Sequence, residues 1–160
     1  MGKIIAVVNQ KGGVGKTTTT VNLAAALTEL KLRVLVVDFD PQANATSGFG
    51  IDKRKIKKSV YDVVINDVPA KDAIVRTDFG DVLPSTADLA GAGVELIAIP
   101  DREYTLQKAL EPLRAEYDYI FIDCPPSLGL LTVNALTCAD SLLSPIQCEY
   151  YALEGVGQLM

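Results

Sequence analysis

A short apolar run, a glycine-rich loop and a helical pattern follow one another near the start of the chain, over KIIAVVNQKGGVGKTTTT (residues 3–20). The run Lys3–Asn9 is rich in β-branched residues and predicts a buried strand. Beyond the loop, Leu23 and Leu27 recur at helical spacing, which predicts a helix over Lys16–Leu30. A strand joined directly to a helix in this way is typical of proteins in which helices pack on a parallel sheet.

The rest of the chain continues the alternation of strands and helices. Apolar runs predict further strands at Arg33–Asp40, Asp81–Ser85, Tyr119–Asp123 and Ser141–Gln147. Helical patterns are found at Ser59–Ile65, Asp88–Ile97, Tyr104–Glu116 and Leu130–Ala139. The sequence therefore predicts an α/β fold, with a parallel β-sheet flanked by helices, in one domain over residues 1–160.

One stretch, Pro41–Lys58, departs from this alternation. Its first part is rich in small polar residues and glycine, and we expect a mobile loop there. Its second part is the basic cluster DKRKIKK (Asp52–Lys58). Such a cluster is either a solvated surface patch or a contact for a nucleic-acid phosphate backbone, and the sequence leaves both interpretations open.

Charge and hydropathy narrow the possible partners. The formal net charge is -5, so any nucleic-acid contact requires a local patch or a segment outside this sequence. Apolar runs stay shorter than the roughly 20 residues of a membrane span, and the first residues carry no signal-peptide cleavage region. We therefore expect a cytoplasmic protein with no membrane partner.

The residue inventory also narrows the chemistry. The chain contains no histidine, which excludes Ser-His-Asp and Cys-His catalysis. Its three cysteines, Cys124, Cys138 and Cys148, have neither disulfide-framework nor zinc-site spacing, and we expect reduced, partly buried thiols. Chemistry must therefore depend on lysines, carboxylates, hydroxyls, backbone amides and a bound metal.

The glycine-rich loop has the composition of a phosphate-binding loop. Gly15, Lys16 and Thr17 match the end of the pattern G-x-x-x-x-G-K-[ST], although Gln10 replaces its first glycine. Backbone N–H groups and a helix N-terminus would surround the phosphates, and Lys16 would add a full positive charge. The hydroxyl of Thr17 is placed to ligate Mg²⁺.

Three aspartates are expected near this loop. Asp38, Asp40 and Asp123 fall at the carboxyl ends of predicted strands, where parallel-sheet proteins bind their ligands. A carboxylate after four apolar residues, as in YIFID, commonly holds Mg²⁺ in nucleotide hydrolases. The alternative for Asp123 is a helix-capping or turn residue.

Four stretches closely resemble the bacterial chromosome- and plasmid-partitioning ATPases of the ParA/Soj family, which belong to the deviant Walker A group of P-loop NTPases together with MinD and the nitrogenase iron proteins. These stretches are Lys11–Thr18, Val36–Gly50, Tyr117–Leu136 and Pro145–Gly155. The similarity runs over essentially the whole chain. Family members are longer and usually have glycine where Lys31 stands, so we expect an amino-terminal portion, incomplete at the C-terminus, with Lys31 in a left-handed cap.

The resemblance implies roles for particular residues. Lys16 would bind the β- and γ-phosphates of ATP, Thr17 would ligate Mg²⁺, and Asp40 and Asp123 would help to place the metal and the attacking water. Lys11 matches the signature lysine that crosses a dimer interface to the partner's nucleotide; the alternative is a solvated loop lysine. The implied nucleotide-binding residues are Lys11, Gly12, Gly13, Val14, Gly15, Lys16, Thr17 and Thr18.

The resemblance also implies a function and partners. The family hydrolyses MgATP and cycles between an ADP monomer and an ATP dimer to segregate DNA, with a ParB-like protein as partner. Its non-specific DNA contact is expected to be weak here, because the family's basic surface lies beyond Met160. Two alternatives remain open, a phosphate-binding scaffold without hydrolysis and a MinD-like cell-division regulator. An iron–sulfur reductase is disfavoured, since Cys138 is the first cysteine after Cys124.

Overall fold

A computed structural model of the chain describes residues 2–9 and 11–147. Within these ranges, six strands form one sheet: β1 (Lys3–Val7), β2 (Val34–Asp38), β3 (Val75–Thr77), β4 (Gly80–Leu83), β5 (Tyr119–Asp123) and β6 (Ser141–Leu143). Their order across the sheet is β3-β4-β2-β5-β1-β6. Neighbouring strands are parallel except β3 and β4, which form an antiparallel hairpin.

The three central strands end level with one another. In the register of the sheet, Val7 of β1 lies beside Asp123 of β5, and Asp123 lies beside Asp38 of β2. All five residues of β2 are buried, as expected for a strand covered on both faces. The first polar side chains of β2 and β5 that follow the apolar run are therefore brought to the same edge.

Helices cover both faces of the sheet. The described helices are α1 (Lys16–Glu29), α2 (Asn44–Gly48), α3 (Val60–Ile65), α4 (Leu89–Glu95), α5 (Thr105–Leu110) and α6 (Leu130–Cys138). Alternate residues of β2 face opposite ways: Val34 and Val36 pack with α1 and α2, whereas Leu35 and Val37 pack with α3 to α6. None of these helices combines the length and the apolar character needed to cross a membrane.

The predicted fold class is confirmed, with differences at the ends of the elements. Strand β5 has the predicted bounds, whereas β1, β2, β4 and β6 end earlier than predicted, since the chain turns away into loops after Val7, Asp38, Leu83 and Leu143. The predicted helix Tyr104–Glu116 has only α5 as α-helix, between tighter 3₁₀ turns at Arg102–Tyr104 and Glu111–Leu113. The predicted helix over Asp88–Ile97 likewise comprises α4 and a 3₁₀ turn at Leu96–Ala98.

The prediction of a mobile loop at Pro41–Lys58 is wrong for two segments of that stretch. Asn44–Gly48 forms α2, and Lys53–Lys55 forms a 3₁₀ turn. Helix α2 is held because Ala45 is fully buried in the core and Thr46 donates two hydrogen bonds to a buried carboxylate. Strand β3 was not predicted either, since three residues are too few to show an alternating pattern.

Two of the three cysteine predictions are testable. Cys124 and Cys138 are free and buried, which confirms reduced thiols at these positions. Burial raises the pKa of the Cys138 thiol to about 12 and raises that of Cys124 as well. Cys148 lies outside the described residues.

The C-terminal end of α1 is closed by a turn centred on Lys31. Lys31 has φ 65°, so the expected left-handed conformation is confirmed. Its N–H donates to the carbonyl of Thr28 at 2.9 Å, and that of Leu32 donates to Leu27 at 3.1 Å. This pair of bonds is the Schellman arrangement, in which glycine is the preferred residue at the left-handed position.

Replacement of Lys31 by glycine should therefore stabilise the protein. Removal of the Cβ relieves a left-handed strain of about 1 kcal/mol, partly offset by the larger entropy of glycine in the unfolded chain. We expect the free energy of unfolding of Lys31→Gly, measured by urea denaturation, to rise by about 0.5–1 kcal/mol. Lys31→Ala, which loses the charge but keeps the Cβ, should show no such gain. Equal stability of the two variants would contradict this explanation.

Candidate functional site

The glycine-rich loop crosses from β1 to α1 at the carboxyl edge of the sheet. Gly13 and Gly15 have φ of 72° and 91°, values that side chains with a Cβ rarely adopt. The side chain of Asn9 fixes the start of the loop: its Oδ1 accepts from the Lys11 N–H at 2.9 Å, and its Nδ2 donates to the Pro145 carbonyl at 2.8 Å. The loop is therefore shaped by its left-handed glycines and by the two side-chain bonds of Asn9.

Lys16 is buried at the first position of α1, with 7% of its surface exposed. Its ammonium donates to the carbonyl of Lys11 at 3.0 Å, which ties the two ends of the loop together. Burial lowers the pKa of Lys16, and the carboxylates of Asp123 and Asp40 act in the opposite direction. An ammonium has three donors, so it can keep this carbonyl and also bind an anion inside the loop.

Asp123, at the end of β5, contacts the first turn of α1. Its Oδ2 accepts from the hydroxyl of Thr17 at 2.6 Å, and its Oδ1 accepts from the hydroxyl of Thr20 at 3.4 Å. Burial raises the pKa of Asp123 to about 7, and the nearby carboxylates of Asp38 and Asp40 contribute to the increase. A carboxylate held in this way favours a cation beside it.

Asp40 lies just beyond β2, in a turn that opens towards the loop. Its Oδ1 accepts from the N–H of Gln42 at 2.9 Å. Asp40 shares a cavity of about 360 Å³ with the glycine-rich loop. The lining residues are Gly12, Gly13, Gly15, Lys16, Thr17, Thr18, Asp40, Gln42, Asn44 and Pro126. A larger cavity, of about 610 Å³, lies between α3 and α5 and has none of these groups.

Most of the predicted site residues line this cavity, and three do not. The side chain of Lys11 is exposed, and its carbonyl accepts the bond from Lys16. Val14 is buried as part of the loop's support. Asp123 is fully buried beneath Thr17, so it reaches the cavity through that hydroxyl. The structure therefore brings seven of the predicted residues together around one cavity, whereas Lys11, Val14 and Asp123 do not line it.

Asp38, the third aspartate expected to converge on the loop, lies beside Asp123 at the edge of the sheet. It is fully buried and is not among the residues that line the cavity. Its Oδ2 accepts from the backbone N–H and the hydroxyl of Thr46, at 2.7 and 2.6 Å. Burial raises the pKa of Asp38 to about 6. Asp38 therefore attaches α2 to the sheet and has a structural role.

The oxygen groups of the site fit Mg²⁺ that is bound jointly by the protein and a phosphate better than a metal ion whose ligands all come from the protein. In the described part of the chain, no group of three or more His, Cys, Asp or Glu residues is arranged to hold a metal ion. Mg²⁺ is commonly bound by one or two carboxylates together with phosphate oxygens and water. The hydroxyl of Thr17 and the carboxylates of Asp40 and Asp123 match that pattern when a phosphate occupies the loop.

Several groups in the site were missed by the sequence analysis. Thr20 donates to the Lys16 carbonyl at 2.9 Å as well as contacting Asp123, and the threonine run was the available signal. Gln147, in the last described segment, donates to the Gly13 carbonyl at 3.2 Å. Asn9 and Gln147 give no motif, because their side-chain amides donate to backbone carbonyls distant in sequence, those of Pro145 and Gly13.

The chain matches known proteins over its whole length. The AAA domain family model matches residues 2–160. The sporulation initiation inhibitor protein Soj of Bacillus subtilis is 58% identical over 162 residues, covering 100% of this chain and 64% of Soj. This chain thus spans less than two thirds of the length of Soj. The activity of the whole Soj protein is therefore not attributed to this chain.

Two solved structures share the fold. Cobyrinic acid a,c-diamide synthase from Mycobacterium smegmatis has a TM-score of 0.95 and 50% identity, covering 99% of this chain and 65% of that one. That structure contains ADP and magnesium. A second structure of the same protein contains an ATP analogue and magnesium. A plasmid partition protein from Borrelia burgdorferi has a TM-score of 0.87 and 32% identity, covering 99% and 72%.

The bond between Thr46 and Asp38 generates a stability prediction. The Thr46 hydroxyl donates to Asp38 and accepts from the N–H of Ser85 at 3.0 Å, so it connects β2, α2 and the end of β4. Thr46→Val keeps the shape of the side chain, but the Asp38 carboxylate and the Ser85 N–H each lose a hydrogen bond. We expect the free energy of unfolding to fall by about 1–3 kcal/mol in urea denaturation. Thr46→Ser, which keeps the hydroxyl, should lose less; a larger loss in serine would refute the role of the hydroxyl.

Proposed function

Because the chain belongs to the ParA/Soj family of AAA-domain proteins, we propose that it is a partition ATPase that binds and hydrolyses MgATP. One observation carries the proposal: the buried ammonium of Lys16 and the hydroxyl of Thr17 face the same cavity as the Asp40 carboxylate. A cation, a metal-binding hydroxyl and a carboxylate around a glycine-rich loop are the groups that phosphoryl transfer requires.

Binding of the nucleotide is assigned to the loop. The N–H groups from Gly12 to Thr18 surround the phosphates, with the positive end of the α1 dipole behind them. Lys16 neutralises charge on the β- and γ-phosphates, and its burial strengthens this contact by excluding water. The loop is positioned before binding by Asn9 and by the bond between Lys16 and the Lys11 carbonyl.

Placement of the metal and of water is assigned to the strand ends. Mg²⁺, when bound, neutralises charge that develops on the phosphate oxygens. Thr17 ligates it, and Asp123 orients the Thr17 hydroxyl through their bond of 2.6 Å. The carboxylate of Asp40, at the mouth of the cavity, orients the attacking water.

The nucleotide cycle and the partners are proposed from membership of the family. We assign to the full protein an ADP-bound monomer, an ATP-dependent homodimer and a ParB-like partner that stimulates hydrolysis. Non-specific DNA binding would place the full protein on the nucleoid, whereas the net charge of -5 makes such binding weak for these 160 residues. A non-hydrolysing scaffold and a MinD-like regulator differ in turnover and in cargo, so ATP hydrolysis measured with and without DNA distinguishes them.

The name of the Mycobacterium smegmatis structure suggests another use of ATP, the formation of an amide. Two findings favour partition. The chain is more similar to Soj, at 58% identity, than to the synthase, at 50%, and the Borrelia burgdorferi structure is that of a plasmid partition protein. Both activities need the same nucleotide cavity. They differ in product, because an amide synthase consumes a carboxylate and a nitrogen donor, whereas a partition ATPase releases only ADP and phosphate.

Removal of the Lys16 ammonium tests the nucleotide site. Lys16→Ala should weaken MgATP binding by about 1.5–3 kcal/mol, roughly tenfold or more, because a buried charge-assisted contact to phosphate is lost. Isothermal titration calorimetry measures the difference. Lys57→Ala, at an exposed lysine outside the cavity, is the matched control and should bind as the parent does. Unchanged affinity in Lys16→Ala would remove the loop from nucleotide binding.

The role of Lys11 is tested separately from nucleotide binding. The side chain of Lys11 is exposed while that of Lys16 is buried, so of these two lysines it is Lys11 that lies at the surface of the subunit. In a chain of full family length, Lys11→Gln should retain ATP binding but lose ATP-dependent dimerisation and most of the hydrolysis. Sedimentation with ATP and with ADP measures the first effect, and phosphate release the second. Normal dimerisation and turnover would make Lys11 a solvated loop lysine.

A further inference from the structure

The basic segment, Lys53–Lys58, is not used by the proposed nucleotide site. Five of its six residues are cationic in a chain with a net charge of -5. It begins with a 3₁₀ turn whose start is capped by Asp52, which accepts from the N–H of Arg54 at 3.1 Å. The segment then runs past Ala73–Val75, which leads into β3 at the edge of the sheet. Its positive charge is therefore concentrated at one border of the fold.

Some of these cations already have partners. Lys53 donates to the Gln42 carbonyl at 2.8 Å, Arg54 pairs with Asp52 at 2.9 Å, and Lys58 contacts Asp72 at 3.5 Å. Among residues 2–9 and 11–147, Lys55 and Lys57 form no ion pair with a carboxylate. Two exposed ammonium groups thus remain for an external anion.

A cavity of about 380 Å³ lies against the same segment. Half-buried aliphatic side chains form its floor: Ile51, Ile56, Ile74 and Val75. The lysines at positions 55, 57 and 58 stand around it. Two carboxylates also line it, those of Asp52 and Asp72, and they are paired with Arg54 and Lys58. The surface therefore combines an apolar recess with exposed cations. Covering the recess is favourable because it removes apolar surface from water, and the exposed cations attract anions.

We propose that this cavity is a docking surface for an acidic segment of a partner protein, with an apolar side chain in the recess and carboxylates on Lys55 and Lys57. Charge complementarity selects an acidic partner, because the unpaired groups are both cations. The aliphatic floor favours a peptide over a nucleic acid, since a phosphate backbone is bound by cations and hydrogen-bond donors and gains little from four aliphatic side chains.

The surface is separate from the nucleotide cavity, with which it shares no lining residue. One contact connects them, because Lys53 bonds to Gln42, a residue that lines the nucleotide cavity. Lys53 is for this reason left unchanged in the test below. The test also does not require nucleotide, so its failure is distinguishable from failure of the proposed ATPase.

The test uses the full chain and a dye-labelled peptide of alternating Glu and Asp with a central pair of leucines. Fluorescence anisotropy should show binding that weakens with salt. The double variant Lys55→Glu/Lys57→Glu should bind about tenfold more weakly, as expected for two reversed exposed charges. Lys71→Glu/Lys108→Glu, with the same change in net charge on the surface beside α5, is the control and should bind like the parent.

The apolar recess has its own test. Ile56→Ser leaves every charge in place and should weaken the peptide by about tenfold through lost apolar contact. Replacing the leucines of the peptide by serines should have a similar effect on the parent protein. Circular dichroism establishes that each variant is folded.

Three outcomes would overturn the proposal. The first is equal binding of the acidic peptide and of a counterpart with lysines in place of its acids. The second is an equal loss in the control double variant, which would show a response to net charge alone. The third is binding of duplex DNA that is lost in Lys55→Glu/Lys57→Glu but insensitive to Ile56→Ser, which would assign the surface to a phosphate backbone.

Discussion

The parallel pairing of β1, β5 and β2 is the constraint on which the site depends. These strands are buried on both faces, so a polar side chain is tolerated only where each strand leaves the sheet. Because their registers align, Val7, Asp123 and Asp38 lie side by side, and the loops that follow begin at a common edge. The glycine-rich loop and the turn with Asp40 are neighbours for this reason, although they are distant in sequence.

This arrangement concentrates charge in a place that water reaches poorly. Burial raises the pKa of Asp38 to about 6 and that of Asp123 to about 7. A carboxyl group with a raised pKa contributes its stability below the unfolded value near 4 and loses it as the pH rises through 6 to 7. At neutral pH the ionised carboxylates therefore oppose folding, and the threonine hydroxyls and the Lys16 ammonium offset part of this cost. A bound cation would offset more.

The sequence predicted what depends on local pattern. Fully apolar strands and the glycines before Lys16 were visible, and so was the left-handed position at Lys31. Helix α2 was not predicted, because it is held by the carboxylate of Asp38, six residues before its first residue, and not by an apolar stripe. The contact of Asp38 with Thr46 was not predicted for the same reason: Asp38 and Asp123 both lie at strand ends, and the local sequence pattern does not distinguish them.

The two lysines of the loop differ in burial, although they belong to one motif. Lys16 starts a helix, so its side chain turns inward between the loop and Asp123, whereas Lys11 stays on the exposed side. They are joined by a bond from the Lys16 ammonium to the Lys11 carbonyl, and the Lys11 N–H is fixed by Asn9. The backbone at Lys11 is therefore held at both its N–H and its carbonyl. Under the proposed role of Lys11 across an interface, this restraint means that less backbone entropy is lost when the residue meets an anion on a second subunit.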